Sequence, residues 1–144
     1  MQGEDLKRVA RRYYDEVFGR RNTAALDELF APDFVGHSAA VGTYDLADVR
    51  RGVERAHEGM PDDEVVIEDQ LAEGDRVVTR FSYRWKHDQS VFGEEPSGRW
   101  LTMEGVQIDR LEDGKIAERW EIKDQWSVAT QLGGKVEFPP PAVG

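Results

Sequence analysis

The hydrophobic positions of this chain change their period once, near Pro61, and the change separates expected helices from expected strands. Before it, Glu4–Arg20 places Leu6, Val9, Ala10, Tyr13 and Val17 on one stripe opposite lysine and arginine, the pattern of an amphipathic helix. Thr23–Phe30 repeats the pattern briefly with Leu26, Leu29 and Phe30, and Pro32 ends it. Asp33–Ser38 (DFVGHS) is a short extended piece. Asp45–Glu58 is a third helix, capped by Asp45, with Leu46, Val49, Val53 and Ala56 on its buried side. Beyond Pro61 the period becomes two. Glu64–Ala72 is apolar and β-branched, and Gly74-Asp75 marks a turn. Arg76–His87 alternates most cleanly: Val77, Thr79, Phe81, Tyr83, Trp85 and His87 share one face. Phe92–Gly98 is a loop. Arg99–Leu111 alternates less cleanly and is expected to be covered on both faces, and Glu112–Lys115 is a hairpin turn.

The last strand carries the strongest chemical suggestion. From Ile116, one parity holds Glu118, Trp120, Ile122 and Asp124, while the other holds Ala117, Arg119, Glu121 and Lys123. The second set is mostly charged, so it is expected to face water and the first set to face inward. Asp124 would then sit beside an indole and two isoleucines at the end of a strand. A carboxylate that has lost part of its water there is suited to accept a proton near neutral pH. The competing expectation is a structural one, in which Asp124 accepts backbone N–H bonds from the turn that follows.

Three helices followed by four long hairpin-linked strands predict an α+β domain with a curved antiparallel sheet. Helices must cover its apolar face, and a curled sheet leaves a pocket between the layers. A chain of 144 residues suits one domain over residues 1–135, and the three consecutive prolines place 136–144 in an irregular tail. The net charge of −10 disfavours nucleic acid or an anionic membrane as partner. The absence of cysteine removes thiolate chemistry and cysteine-ligated metals. With no spanning apolar run and a charged Met1–Arg12, a cytoplasmic protein is expected. Exposed sheet edges predict a homodimer or higher homo-oligomer.

Histidine occurs three times. His87 lies on the inward parity with Tyr83 and Trp85, and His37 follows Phe34 and Val35, so both are candidates for one cavity; His57 belongs to the wet side of its helix. Metal binding is not expected, because HxH, HxxxH and HExxH spacings are absent. Nor is there a GxSxG elbow or a Gly-rich phosphate loop after a strand. Cofactor-free acid–base chemistry in an aromatic-lined pocket remains. Tyr13, Phe34, Tyr83, Trp85, Trp100 and Trp120 are its candidate walls, and a hydrophobic, flat or polycyclic ligand would suit them.

Several segments resemble the SnoaL-like polyketide cyclases. They are Asn22–His37 (NTAALDELFAPDFVGH), Met60–Arg80 (MPDDEVVIEDQLAEGDRVVTR), Phe92–Arg99 (FGEEPSGR) and Gly105–Gly133 with DGKIAERWEIKD and QLG. The resemblance implies an NTF2-like cone and ring closure by intramolecular aldol condensation without a cofactor. It implies that Asp124, in the WxxxD position, is the acid/base; in such a cyclase His87 and His37 are expected to hydrogen-bond the carbonyl oxygens. Gly36 stands where the family often has aspartate, which removes an orienting partner for His37. DQSVFG after His87 replaces the usual HxGxFxG form. Two other readings stand beside the cyclase. One is a cofactor-independent hydroxylase of an electron-rich aromatic, and the other is a non-catalytic ligand-binding module on the same cone.

Overall fold

The structure, a computed structural model, describes residues 2–135 and 137–142. Helix α1 (Gly3–Arg12) continues into a π-helical segment, Tyr13–Gly19, and is followed by α2 (Ala25–Leu29). Strands β1 (Phe30–Ser38) and β2 (Gly42–Tyr44) precede α3 (Leu46–Gly59). Then come β3 (Glu64–Glu73), β4 (Arg76–Lys86), β5 (Trp100–Glu112), β6 (Lys115–Lys123) and α4 (Gln125–Gln131). Asp45 caps α3 as expected and does so reciprocally: Asp48 N–H donates to Asp45 Oδ1 at 2.8 Å, and Asp45 N–H donates to Asp48 Oδ2 at 2.9 Å. Of the expected tail, Val136, Val143 and Gly144 lie outside the described residues; residues 137–142 carry neither helix nor strand.

The strands form one open sheet in the order β2-β1-β6-β5-β4-β3. It is not wholly antiparallel. β1 runs parallel to β6, because it enters the sheet from α2 and is separated from β6 by most of the chain. Register shifts interrupt the β1–β6, β3–β4 and β5–β6 pairs, bending the sheet toward the helices. Between its concave face and the helices lies the main core, in which Tyr13, Val17, Leu26, Leu29, Phe30, Phe34, Val77, Phe81 and Ile116 are all buried. A smaller cluster of Trp85, Leu101, Met103 and Val128 closes the end beneath α4.

The shift between β5 and β6 decides which side chains enter the cavity. Leu111 faces Ile116, but the next partner of Arg110 is Glu118, so Ala117 is an extra residue. Ile116 and Ala117 are consequently buried one after the other. Past the bulge the faces are exchanged: Arg119 is buried and Ile122 is 72% exposed. The inward set is therefore Arg119 and Glu121, opposite to the expected one. A single unpaired residue reverses every side chain beyond it.

Candidate active site

A cavity of about 510 Å³ opens between the concave sheet and α3, within the range that accommodates small organic ligands. Its walls include Tyr13, Tyr14 and Phe18 from the π-helical segment, Val49 and Val53 from α3, and Phe81 and Tyr83 from β4. The π turn brings two consecutive tyrosines inward, and both are buried. Tyr44 reaches the cavity from β2 because its cross-strand partner is Gly36. A Cβ on Gly36 would come within 2.1 Å of the Tyr44 ring, so the glycine is required by this packing.

Polar groups converge on the β5–β6 floor. Arg119 and Asp109 face each other across the strands in a two-pronged ion pair of 2.6 and 3.2 Å, and both are essentially without solvent exposure. The guanidinium carbon lies 4.3 Å from the centre of the Tyr13 ring and 5.3 Å from that of Phe30. Burial works against the charge of Arg119, but Asp109 and the surrounding tyrosines hold its pKa well above the ordinary value. The pair is closed on itself and forms the rigid base of the site.

Beside it runs a directed chain of hydrogen bonds. The Tyr14 hydroxyl donates to Gln107 Oε1, and Gln107 Nε2 donates to Glu121 Oε2 at 2.8 Å. Lys123 Nζ lies 3.7 Å from the same carboxylate oxygen. Burial acts to raise the Glu121 pKa, yet Lys123, the Gln107 amide, Arg119 and Tyr44 together outweigh it and hold the group below the usual carboxylate range. Burial raises the Tyr14 and Tyr44 phenols, so both remain hydroxyl donors at neutral pH. Tyr83, also raised by burial, donates to Asp63, which in turn pairs with Arg21. Glu121 thus presents an ionised carboxylate to the cavity, with neutral phenols around it. Such a set can accept a proton from a bound carbon acid and return it.

The residues expected from the sequence divide among three places. Tyr13 and Tyr83 line the cavity, whereas Phe34 and Trp85 are packed in the core. Trp100 and Trp120 lie on the outer face, beneath the guanidinium groups of Arg84 at 4.0 Å and Arg76 at 4.7 Å. His37 also belongs outside: Nε2 is 2.7 Å from Glu118 Oε2, and the ring stacks on Trp120 at 5.5 Å. Glu118 is thereby the partner that Gly36 does not supply. His87 is buried, as its parity predicts, but does not line the cavity. Its Nδ1 is 2.8 Å from Ser97 Oγ and accepts the Ser97 N–H, which anchors the β4–β5 loop. His57 is half-buried against Phe18 rather than on a wet face.

Asp124 is exposed. It precedes α4 and accepts the Ser127 N–H at Oδ1, 2.9 Å away, which is the structural expectation. The inward placement fails because the Ala117 bulge exchanges the faces of β6. Asp124 borders a second, open hollow with Glu104 and Trp126, which shares Val41, Glu121 and Lys123 with the cavity rim. The residues missed in the sequence are Arg119, Gln107, Tyr44 and Glu121. A signal for one of them, Arg119, was its opposite charge to Asp109, which becomes its cross-strand partner only once a bulge is allowed. Among the described residues, no group of three His, Cys, Asp or Glu side chains is arranged to hold a metal ion.

A curved mixed sheet folded over by helices around a ligand-sized cavity is an NTF2-like α+β cone. The sequence profile of the SnoaL-like polyketide cyclases matches residues 8–132, and the chain belongs to that family. No curated protein matches the sequence. Among solved structures, IdmH of Streptomyces antibioticus, a candidate polyketide cyclase, is 28% identical with a TM-score of 0.80, and the match covers 89% of this chain and 98% of that one. AclR of Streptomyces galilaeus, a candidate hydroxylase, is 22% identical with a TM-score of 0.83 over 96% of this chain and 91% of its own. TsrD of Streptomyces laurentii superposes with a TM-score of 0.81 at 21% identity, covering 94% of this chain and 99% of that one. The last two likenesses concern the fold. No helix of the described residues is long and apolar enough to cross a membrane.

Proposed function

We propose that the cavity receives a hydrophobic, aromatic or polycyclic polyketide-type molecule and catalyses its intramolecular aldol ring closure without a cofactor, with Glu121 as the acid/base. The observation that carries this reading is the ionised Glu121 carboxylate, held by Gln107 and Lys123 at the floor of a cavity that Tyr13, Tyr14, Phe18, Val53, Phe81 and Tyr83 also line. Glu121 takes a proton from the carbon alpha to a substrate carbonyl. The resulting enolate carbon attacks a second carbonyl of the same molecule, forming the new carbon–carbon bond and an alkoxide. Protonated Glu121 returns its proton to that alkoxide, so no group is consumed. Tyr44, kept as a hydroxyl, donates to the enolate oxygen while charge develops there.

Asp124 enters this reading as the cap that starts α4, and Glu121→Gln and Asp124→Asn separate the two assignments. Incubated with an aromatic polyketide bearing a free methylene ketone, Glu121→Gln should form no cyclised product while still binding it. Oxygen uptake with a product heavier by one oxygen would favour the hydroxylase. Binding without any product in the wild type would favour the carrier. The homo-oligomer expected from the two sheet edges, β2 and β3, belongs to the same reading; a monomer mass by light scattering at micromolar concentration would remove it.

A further inference from the structure

Four residues at helical spacing on α3, Asp48, Arg51, Gly52 and Arg55, all line the cavity. Their charges do not balance. Inside the cavity, Arg119 is matched by Asp109, and Lys123 by Glu121. On the helix, Asp48 pairs with Arg51. Arg55 pairs with no carboxylate among the described residues and is exposed. The mouth therefore carries a surplus cation on a protein whose net charge is −10.

Two features of α3 are unfavourable in the free protein. Arg51 and Arg55 are four residues apart, so like charges stand side by side on the helix surface. Gly52 lies between them in the helix interior, where alanine would be more stable. No packing requires that glycine, since a Cβ there would meet nothing within 4 Å. An anion resting over Gly52 would explain both, screening the two guanidinium groups and occupying the space that a side chain would fill.

We propose that this mouth is an anion subsite. It takes a carboxylate carried on an otherwise apolar aromatic ligand. Arg55 and Arg51 hold the carboxylate, and the ring system lies inward against Tyr13, Phe81 and Tyr83. Guanidinium suits that task because its planar donors match the two oxygens. The inference rests on the reading that the cavity receives the substrate, and it defines the substrate class further as aromatic ketones that also bear an acid group.

The test compares 2-naphthoate with 2-naphthalenemethanol, titrated against the full-length protein by probe fluorescence in low-salt buffer. The carboxylate should bind about tenfold more tightly, the equivalent of one charge-assisted hydrogen bond. The Arg51→Gln/Arg55→Gln variant should lose that preference while its affinity for the alcohol stays unchanged. Arg8→Gln, on the exposed side of α1, should retain it, and 0.5 M sodium chloride should reduce it in the wild type. Gly52→Leu should weaken the carboxylate more than the alcohol, and circular dichroism identifies any variant that has lost its fold. Equal affinities in the wild type, or a preference that survives in the double variant, would overturn this inference alone. Failure of both probes to bind would overturn it together with the cavity reading.

Discussion

The two faces of the β5–β6 hairpin carry similar residue types and use them in opposite ways. On the concave face, Arg119, Asp109, Gln107 and Glu121 are withdrawn from water and joined in closed pairs and chains. On the convex face, Arg110, Glu118 and His37 form a half-exposed network beside Trp120, while Ile122 and Val106 stand in solvent. Charge has gone in and part of the apolar surface has gone out. Isolated charges belong in water, but a charge with a partner across the strand satisfies both groups and can form the floor of a cavity. The parity of a strand is thus set by its register with its neighbour, and the count of charged residues on each side is a poor guide to it.

The largest expected contrast is in stability. Arg119→Met leaves Asp109 buried without a partner and should destabilise the protein by about 3–5 kcal/mol. Arg110→Met, which removes the outer pair with Glu118, should cost less than about 1 kcal/mol. Urea denaturation of both variants measures the difference. Similar losses would mean that the two faces are not energetically distinct.

Next comes catalysis. Glu121→Gln should lower turnover about 10²–10⁴-fold, the usual contribution of a positioned acid/base. Asp124→Ala should leave turnover near the wild type and cost about 1 kcal/mol of stability through the lost cap. Alanine is the informative replacement, since asparagine caps nearly as well as aspartate.

The pH dependence is smaller and has a definite sign. Glu121 has a folded-state pKa below its unfolded one, so its stabilising contribution is present above the unfolded value and lost as pH falls through the folded value. Lys123→Met removes the leading charge that lowers it. The acid limb of the rate profile and the acid unfolding midpoint should both move to higher pH. A midpoint unmoved, or moved to lower pH, would remove Lys123 as the cause. The smallest effect belongs outside: Ile122→Thr, at a 72% exposed position, should change stability by less than about 0.5 kcal/mol and leave ligand binding intact.

Much of this architecture is legible in the chain. The Asp45 cap and the buried side of α3 follow from local spacing. The inward alternation of Val77, Thr79, Phe81 and Trp85 on β4 holds because that strand pairs with β5 without interruption. What fails is non-local. The alternation of β6 is correct at Ile116 and reversed from Ala117 onward, since the bulge is a property of the pair of strands. Asp124 and Trp120 inherit that reversal, whereas His37 is turned outward by the alternation of β1 itself, in which Phe34 and Gly36 face in. The π-helical turn that brings Tyr14 inward, the short strand β2 that delivers Tyr44, and α4 likewise depend on packing that no local period encodes. The wall residues Tyr13 and Tyr83 were accessible from pattern; the polar floor was not, because paired charges look solvated in a sequence.

Proton transfer by Glu121 can be measured without the natural substrate. The methyl protons of 2-acetylnaphthalene, followed by proton NMR in deuterated buffer at neutral pH, report abstraction alpha to a carbonyl within the cavity. Wild-type protein and Asp124→Ala should accelerate the loss of that signal, and Glu121→Gln should return it to the rate in buffer. Exchange that survives in Glu121→Gln but disappears in Asp124→Ala would contradict the account and return the acid/base role to the outer rim.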